Sequence, residues 1–209
     1  MKILAIDIGA GTQDILVFDS GKKIENCISL VLPTPSRYFA EKLKGIEGHV
    51  YIHGDTIGGG ALGRAILRHI QKGYRVVMGE SAAYSIRNDL DEVRSMGIEV
   101  GKKPGTDCFH ELEIREIDLP LLANFLSNFG EELSIDAVAI AVQDHGVSPK
   151  GVSDRAFRFA NMERMLREDN RPEMFHFLED SIPEYYLRMR SAVAAVRRTS
   201  SAPGGPRCW

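Results

Sequence analysis

The sequence contains few cysteines, a single tryptophan and no long apolar run. Cys27, Cys108 and Cys208 stand too far apart to predict a disulfide framework or a zinc site. No apolar stretch approaches the ~20 residues that a membrane-spanning helix needs. Asp7 interrupts the N-terminal apolar stretch after a few residues, which argues against a signal peptide. We therefore expect no membrane association and a cytoplasmic location.

A strong charge of either sign is also absent. The formal net charge of −3 argues against a general nucleic-acid-binding protein, and 44% hydrophobic with 26% charged residues is ordinary for a globular chain. The 209 residues suffice for one domain with a real core. We expect a single α/β domain over 1–197, with a turn-rich subdomain break near 100–106. The composition of 198–209 predicts a disordered tail.

Strand-like and helix-like apolar patterns alternate along the chain, which predicts an α/β fold. Strands are predicted at 2–8, 13–19, 23–31, 49–54, 74–79, 110–117 and 135–142. Helices are predicted at 36–44, 60–72, 81–96, 119–129, 153–168, 173–179 and 184–197. The three early strands indicate a meander joined to a parallel sheet. The nearly continuous apolar run at 136–142 predicts a strand covered on both faces.

The first nineteen residues carry the most informative motif. Two apolar strands flank the turn Gly9-Ala10-Gly11-Thr12, which predicts a β-hairpin. Asp7 lies near the end of the first strand, and Asp14 interrupts the second. Backbone N–H groups, a hydroxyl and a nearby carboxylate suit a phosphate and its metal ion. The alternative is a plain hairpin with a glycine turn; against it, Asp7 breaks an apolar strand, where an unpartnered buried acid would be costly.

A second glycine-rich segment opens the helix predicted at 60–72. Its spacing matches G-x-G-x-x-G with an acid after the next strand, at Gly58, Gly60, Gly63 and Glu80. This pattern is that of an NAD(P)-dependent enzyme, but the polar insert 53–56 separates the first glycine from its strand. An anion site at the helix N-terminus, formed by Gly58, Gly59 and Gly60, and a purely structural loop are the other interpretations.

A polar cluster, Gln143-Asp144-His145-Gly146, follows the apolar strand at 136–142. Polar residues beyond the carboxyl end of a strand are where open α/β sheets place ligands. Asp144 or His145 could act as a general base, or Asp144 could orient a water or a metal. The structural alternative is an Asx-turn with a capping histidine.

The hairpin resembles the first phosphate motif of the actin, sugar-kinase and Hsp70 ATPase superfamily. More narrowly, the chain resembles a prokaryotic family with an actin-like ATPase fold, sometimes labelled as related to pyruvate formate-lyase activating enzymes. The segments that carry this resemblance are DIGAGTQDILVFD, GDTIGGG, AVQDHGVSP, SDRAFRF and PEYYLRMR. They are spread from residue 7 to about 190.

The resemblance implies a ribonuclease H-like first lobe, with a mixed sheet, an N-terminal β-meander and flanking helices. It implies that ATP and Mg²⁺ are bound for phosphoryl transfer or hydrolysis, with an unidentified small-molecule substrate. Asp7 would position the metal through water. Asp144 and His145 would face the hairpin as catalytic residues. The phosphate contacts implied are Gly9, Gly11, Thr12 and Gln13.

The motifs of the superfamily's second lobe are not found in the sequence. We therefore expect weak ATP binding, with a homodimer or a separate second lobe as partner. A non-catalytic interaction module is a further hypothesis. An iron–sulfur cluster of the radical activating-enzyme type needs closely spaced cysteines, so no such cluster is expected.

Overall fold

The computed structural model describes residues 1–105 and 108–200, together with the backbone of 207 and 208. It is a mixed α/β structure. The strands are β1 Lys2–Ile8, β2 Thr12–Asp19, β3 Ile28–Pro33, β4 His49–Gly54, β5 Val76–Met78, β6 Glu99–Val100, β7 Phe109–Ile114, β8 Ala137–Val142 and β9 Arg207–Cys208. The helices are α1 Pro35–Lys44, α2 Gly60–Gln71, α3 Glu80–Ala83, α4 Leu90–Ser95, α5 Leu119–Ser127, α6 Asp154–Glu168 and α7 Leu187–Thr199. None of the described helices is long and apolar enough to cross a membrane.

The chain divides into two compact units. The first unit comprises Met1–Ile8, Asp14–Leu30 and Leu119–Trp209, and the second comprises Gly9–Gln13 and Val31–Asp118. The turn-rich segment 100–106 falls inside the second unit. Most of the predicted tail, 201–206 and 209, lies outside the described residues.

The first unit is built on a sheet of order β3-β2-β1-β8, with the two-residue β9 beside β8. β1 and β8 are parallel, from Ile3 opposite Ala137 to Ile8 opposite Val142. Residues at every second position of β1 are buried, which gives the sheet one core face: Leu4, Ile6 and Ile8. β1, β2 and β3 are neighbours in the sheet in the same order as in the chain, as the predicted meander requires.

The apolar strand β8 is covered over its first half only. Ala137 and Val138 are buried, whereas Ile140 is half-buried and Ala141 is exposed. The prediction of cover on both faces is therefore wrong for the carboxyl half of this strand. An apolar run is compatible with burial but does not show what packs against it.

The second unit is built on a parallel sheet of order β6-β5-β4-β7. β4 pairs in parallel with β5 on one side and with β7 on the other. Helix α2 connects β4 to β5, as a parallel pair requires. α1 and α2 pack with the sheet around one apolar core, whose fully buried members include Val50, Ile52, Leu62, Ile66, Met78 and Ile114.

Three predicted elements differ from the structure, one of them at a point where a capping group begins a new helix. The helix predicted at 81–96 is divided into α3 and α4, because Asp89 caps α4 by accepting a hydrogen bond from the Asp91 amide. The strand predicted at 23–31 begins with a 3₁₀ turn, Ile24–Asn26. The helix predicted at 173–179 is replaced by two 3₁₀ turns, Pro172–Phe175 and Glu179–Ser181.

Candidate functional site

The turn between β1 and β2 is a closed, exposed loop. The Gly9 amide donates a hydrogen bond to the Thr12 carbonyl at 3.0 Å. Gly9, Gly11 and Thr12 are exposed, and a Cβ at Gly11 would meet no atom within 4 Å. The side-chain amide of Gln13 donates to the Pro33 carbonyl at 3.2 Å. Gln13 therefore anchors the loop in the structure, while the glycines leave its tip accessible.

An arginine that sequence reasoning missed lies at this loop. The Arg37 guanidinium donates to the Gly11 carbonyl at 3.2 Å, across 26 positions of the chain. Arg37 is exposed and lies in the first turn of α1, where Thr34 is the N-cap and Pro35 is the first helical residue. A guanidinium is well suited to binding phosphate. No local pattern in the sequence links Arg37 to the glycine turn.

The structure corrects the expectation that Asp7 is a buried acid. Ile6 and Ile8 point to the core face of β1, and the period of two places Asp7 on the opposite face, where it is exposed. Asp14 is also exposed on the neighbouring strand β2. The argument from the cost of burial therefore does not apply. Both carboxylates are instead accessible to a ligand.

Asp7 and Asp14 line a cavity of about 1060 Å³ within the first unit. Its sheet side is lined by residues of β1, β2 and β8, in which three alanines stand beside larger side chains such as Ile140 and Val142. Helices α6 and α7 and the segment between them supply bulky apolar side chains. The polar lining also includes Gln143, Asp144, Arg158 and His176. The cavity thus combines a mostly apolar wall with a few polar groups, as is usual for small-molecule sites.

The carboxylate of Asp144 is engaged by backbone amides. One oxygen accepts from the Gly146 amide at 2.8 Å. The other accepts from the amides of Arg188 and Met189 at 2.8 and 3.0 Å. Arg188 and Met189 lie in the first turn of α7, whose N–H groups have no partner within the helix. Asp144 therefore forms an Asx-turn and also caps a helix that begins more than 40 residues later.

His145 is exposed and pairs with an arginine of α6. Its Nδ1 lies 3.1 Å from Nη1 of Arg158. Because a guanidinium can only donate, Nδ1 accepts this hydrogen bond and the ring proton resides on Nε2. Asp144 and Arg158 both line the cavity that Asp7 lines. The structure thus brings Asp7 and Asp144 to one cavity, and it connects His145 to that cavity through Arg158.

The glycine-rich segment before α2 is held by close backbone contacts. A Cβ at Gly59 would lie 1.7 Å from the Ser85 carbonyl oxygen, whereas a Cβ at Gly60 would meet nothing within 4 Å. The Ser36 hydroxyl accepts from the amides of Ala61 and Leu62, both at 3.1 Å. Two of the N–H groups that an anion would use at this helix N-terminus are therefore bound to a side chain of α1.

Two buried acids connect the loops that follow β4 and β7. Asp55 and Glu116 are 3% and 1% exposed, and the Glu116 amide donates to the Asp55 carboxylate at 3.0 Å. The Thr56 hydroxyl donates to the Ser81 carbonyl at 2.7 Å. The insert between β4 and the glycines is therefore held by hydrogen bonds to segments that are distant in the sequence.

The described residues contain no group of three or more His, Cys, Asp or Glu side chains placed to hold a metal ion. Mg²⁺ in nucleotide sites is commonly held by one or two carboxylates together with phosphates and waters. The carboxylates of Asp7 and Asp14 fit that smaller protein contribution.

Comparison with known proteins identifies the family of the chain. A family model described as "Putative pyruvate format-lyase activating enzyme (DUF1786)" matches residues 57–203. The chain belongs to this family. The DUF1786 match covers α2 to α7, including Asp144 and Arg158, and begins after the hairpin of β1 and β2. It confirms the resemblance to a family labelled as related to pyruvate formate-lyase activating enzymes. No curated protein and no solved structure matches the chain.

Proposed function

We propose that the chain binds the phosphates of ATP with Mg²⁺ at the β1–β2 hairpin, for phosphoryl transfer or hydrolysis. The observation that supports this most is the exposure of Asp7 and Asp14 into one cavity of about 1060 Å³. Both carboxylates flank a glycine turn whose tip is accessible. Exposed acids in two neighbouring strands contribute nothing to the core, so their placement suits a cation-bound ligand.

The residues of the hairpin would have different roles in binding Mg²⁺ and the phosphates. Asp7 would orient the Mg²⁺ ion through a bound water, and Asp14 would add a second negative charge on the same side. Gly9, Gly11 and Thr12 would contact the phosphates. A bound Mg²⁺ ion neutralises phosphate charge, and positioning with charge neutralisation supplies most of the catalysis in phosphoryl transfer.

The proposed fold class is the first lobe of an actin-like ATPase. The mixed sheet of the first unit supports it, since β3, β2 and β1 follow as a meander and β8 adds in parallel to β1. In this proposal Asp144 has a positioning role rather than that of a base. Its carboxylate already accepts three backbone hydrogen bonds.

Calorimetric titration of Mg²⁺–ATP into the parent chain and Asp7→Asn tests the proposal. We expect Asp7→Asn to lose at least about tenfold in affinity, and only when Mg²⁺ is present, because a charge-assisted contact contributes about 1.5–3 kcal/mol. Asp91→Asn is the matched control, since Asp91 is an exposed acid of α4 that pairs with Arg94 of the same helix. Equal affinities for all three proteins would contradict the assignment of Asp7.

An NAD(P)-dependent enzyme is the second candidate, favoured by the topology of the second unit. In the order β6-β5-β4-β7, the glycine-rich turn follows β4, next to the point where the strand order reverses. Doubly wound sheets bind dinucleotides at such a point. Against it, Ser36 caps α2, and Gly59 is needed for contact with Ser85. We therefore propose that these glycines serve close packing.

A further inference from the structure

Arg158 differs from Arg164 and Arg167 of the same helix, because no carboxylate of the described residues lies beside it. Arg164 pairs with Glu168 at 3.0 Å, and Arg167 pairs with Glu163 at 2.7 Å. Among the described residues, no carboxylate lies within ion-pair distance of Arg158, whose guanidinium contacts Nδ1 of the His145 ring. The guanidinium nevertheless lies in the cavity wall and is only half exposed.

The surroundings of Arg158 hold it in place without neutralising it. Its Cζ lies 5.4 Å from the ring centre of Phe159. Its Nε is buried and makes no hydrogen bond to the described residues. A partly buried cation without a counter-charge is costly. An anion bound in the cavity would supply that counter-charge.

Three alanines of β1 and β8 line the sheet side of the cavity, and they are called the alanine floor below. They are Ala5, Ala139 and Ala141, with Ala5 directly opposite Ala139 and Asp7 opposite Ala141 across the β1–β8 pair. Strands covered by helices ordinarily carry Val, Ile or Leu at such positions. The opposing wall is apolar and includes flexible methionines, with Met162, Tyr186, Met189 and Val193 among its members. The space between this wall and the alanines of the sheet is suited to an apolar group.

We infer that this cavity binds a monocarboxylate with an apolar body, its carboxylate paired with Arg158 and its body lying over the alanine floor. Arg and carboxylate form bidentate, charge-assisted hydrogen bonds. One guanidinium balances one negative charge, whereas a phosphate monoester carries about −1.5 to −2. The extra charge would face an apolar wall and the carboxylates of Asp7 and Asp14. Naming this ligand as the substrate that acts together with ATP rests on the proposed function, but its binding does not.

Decanoate and decanol, titrated without nucleotide or Mg²⁺, test the inference because they share one apolar body and differ in the anionic group. We expect the parent chain to bind decanoate at least about tenfold more tightly than decanol, from one charged pair. Arg158→Gln should abolish that preference while retaining decanol binding. Arg167→Gln, changed on the same helix, should keep the preference. Equal binding of the two probes by the parent, or a preference that survives in Arg158→Gln, would overturn the inference.

A second variant keeps the test decisive if Arg158→Gln does not fold. Ala141→Leu adds bulk at an exposed position of the floor, and we expect it to weaken decanoate and decanol alike by about tenfold, because the added carbons occupy the volume of the apolar body. Unchanged binding of both probes would contradict the placement of the ligand. Asp7→Asn should bind decanoate like the parent chain. Failure of ATP binding with retained decanoate binding would therefore reject the proposed function alone.

Discussion

Replacing Asp144 separates a capping role from a chemical one. In Asp144→Ala, the amides of Arg188 and Met189 lose the carboxylate that accepts their hydrogen bonds, and first-turn amides have no acceptor within their own helix. Removing a side-chain cap costs about 0.5–2 kcal/mol, and here a charged acceptor also interacts with the helix dipole. Because two helix amides and the Gly146 amide share this carboxylate, we expect a loss near the upper limit, about 2 kcal/mol.

Hydrogen exchange at individual amides measures this loss where it arises. A change of about 2 kcal/mol corresponds to a roughly thirtyfold fall in protection at Arg188 and Met189. Asp144→Asn keeps one acceptor oxygen, so we expect about half the effect in free energy. Glu184→Ala is the control, because Glu184 is an exposed acid shortly before α7 and tests for a general charge effect.

If Asp144→Ala leaves the protection of both amides unchanged but abolishes Mg²⁺–ATP binding, the carboxylate acts on the ligand and not on α7. A fall in protection with nucleotide affinity reduced only in proportion would support the capping role.

Three further predictions concern the second unit. Gly59→Ala should destabilise it by several kcal/mol in urea unfolding, since its Cβ would lie 1.7 Å from the Ser85 oxygen, whereas Gly60→Ala has open space and should be neutral or stabilising. Burial lowers the pKa of His69 below its ordinary value of 6.5, against the opposing hydrogen bond to the Gly48 carbonyl. The unfolded chain then binds more protons, so stability should fall as pH drops through about 6.5, and His69→Gln should flatten this dependence. NAD(H) fluorescence titration should show no saturable binding to the parent chain; binding that Gly60→Val abolishes would make the dinucleotide interpretation the better one.

The sequence by itself determined the local elements and the position of the turns. The hairpin of β1 and β2, the strand β4 and the helix α2 follow from apolar periodicity and from glycines at the turns, which act over a few residues. The sequence motifs also indicated the family, and the family-model match over 57–203 confirms it. The predicted helix at 81–96 failed where Asp89 caps a new start, because local capping competes with an apolar pattern.

Only the tertiary structure decided which polar groups are accessible and which are engaged. Asp7 was expected to be buried, but the side of β1 that it occupies faces a cavity. Asp144 meets amides 44 and 45 positions away, and Ser36 caps a helix 25 and 26 positions away. The half-buried guanidinium of Arg158 lies in the cavity wall, and no carboxylate of the described residues lies beside it. Hydrogen-bond partners at such separations depend on how elements pack, and local sequence preferences do not encode that packing.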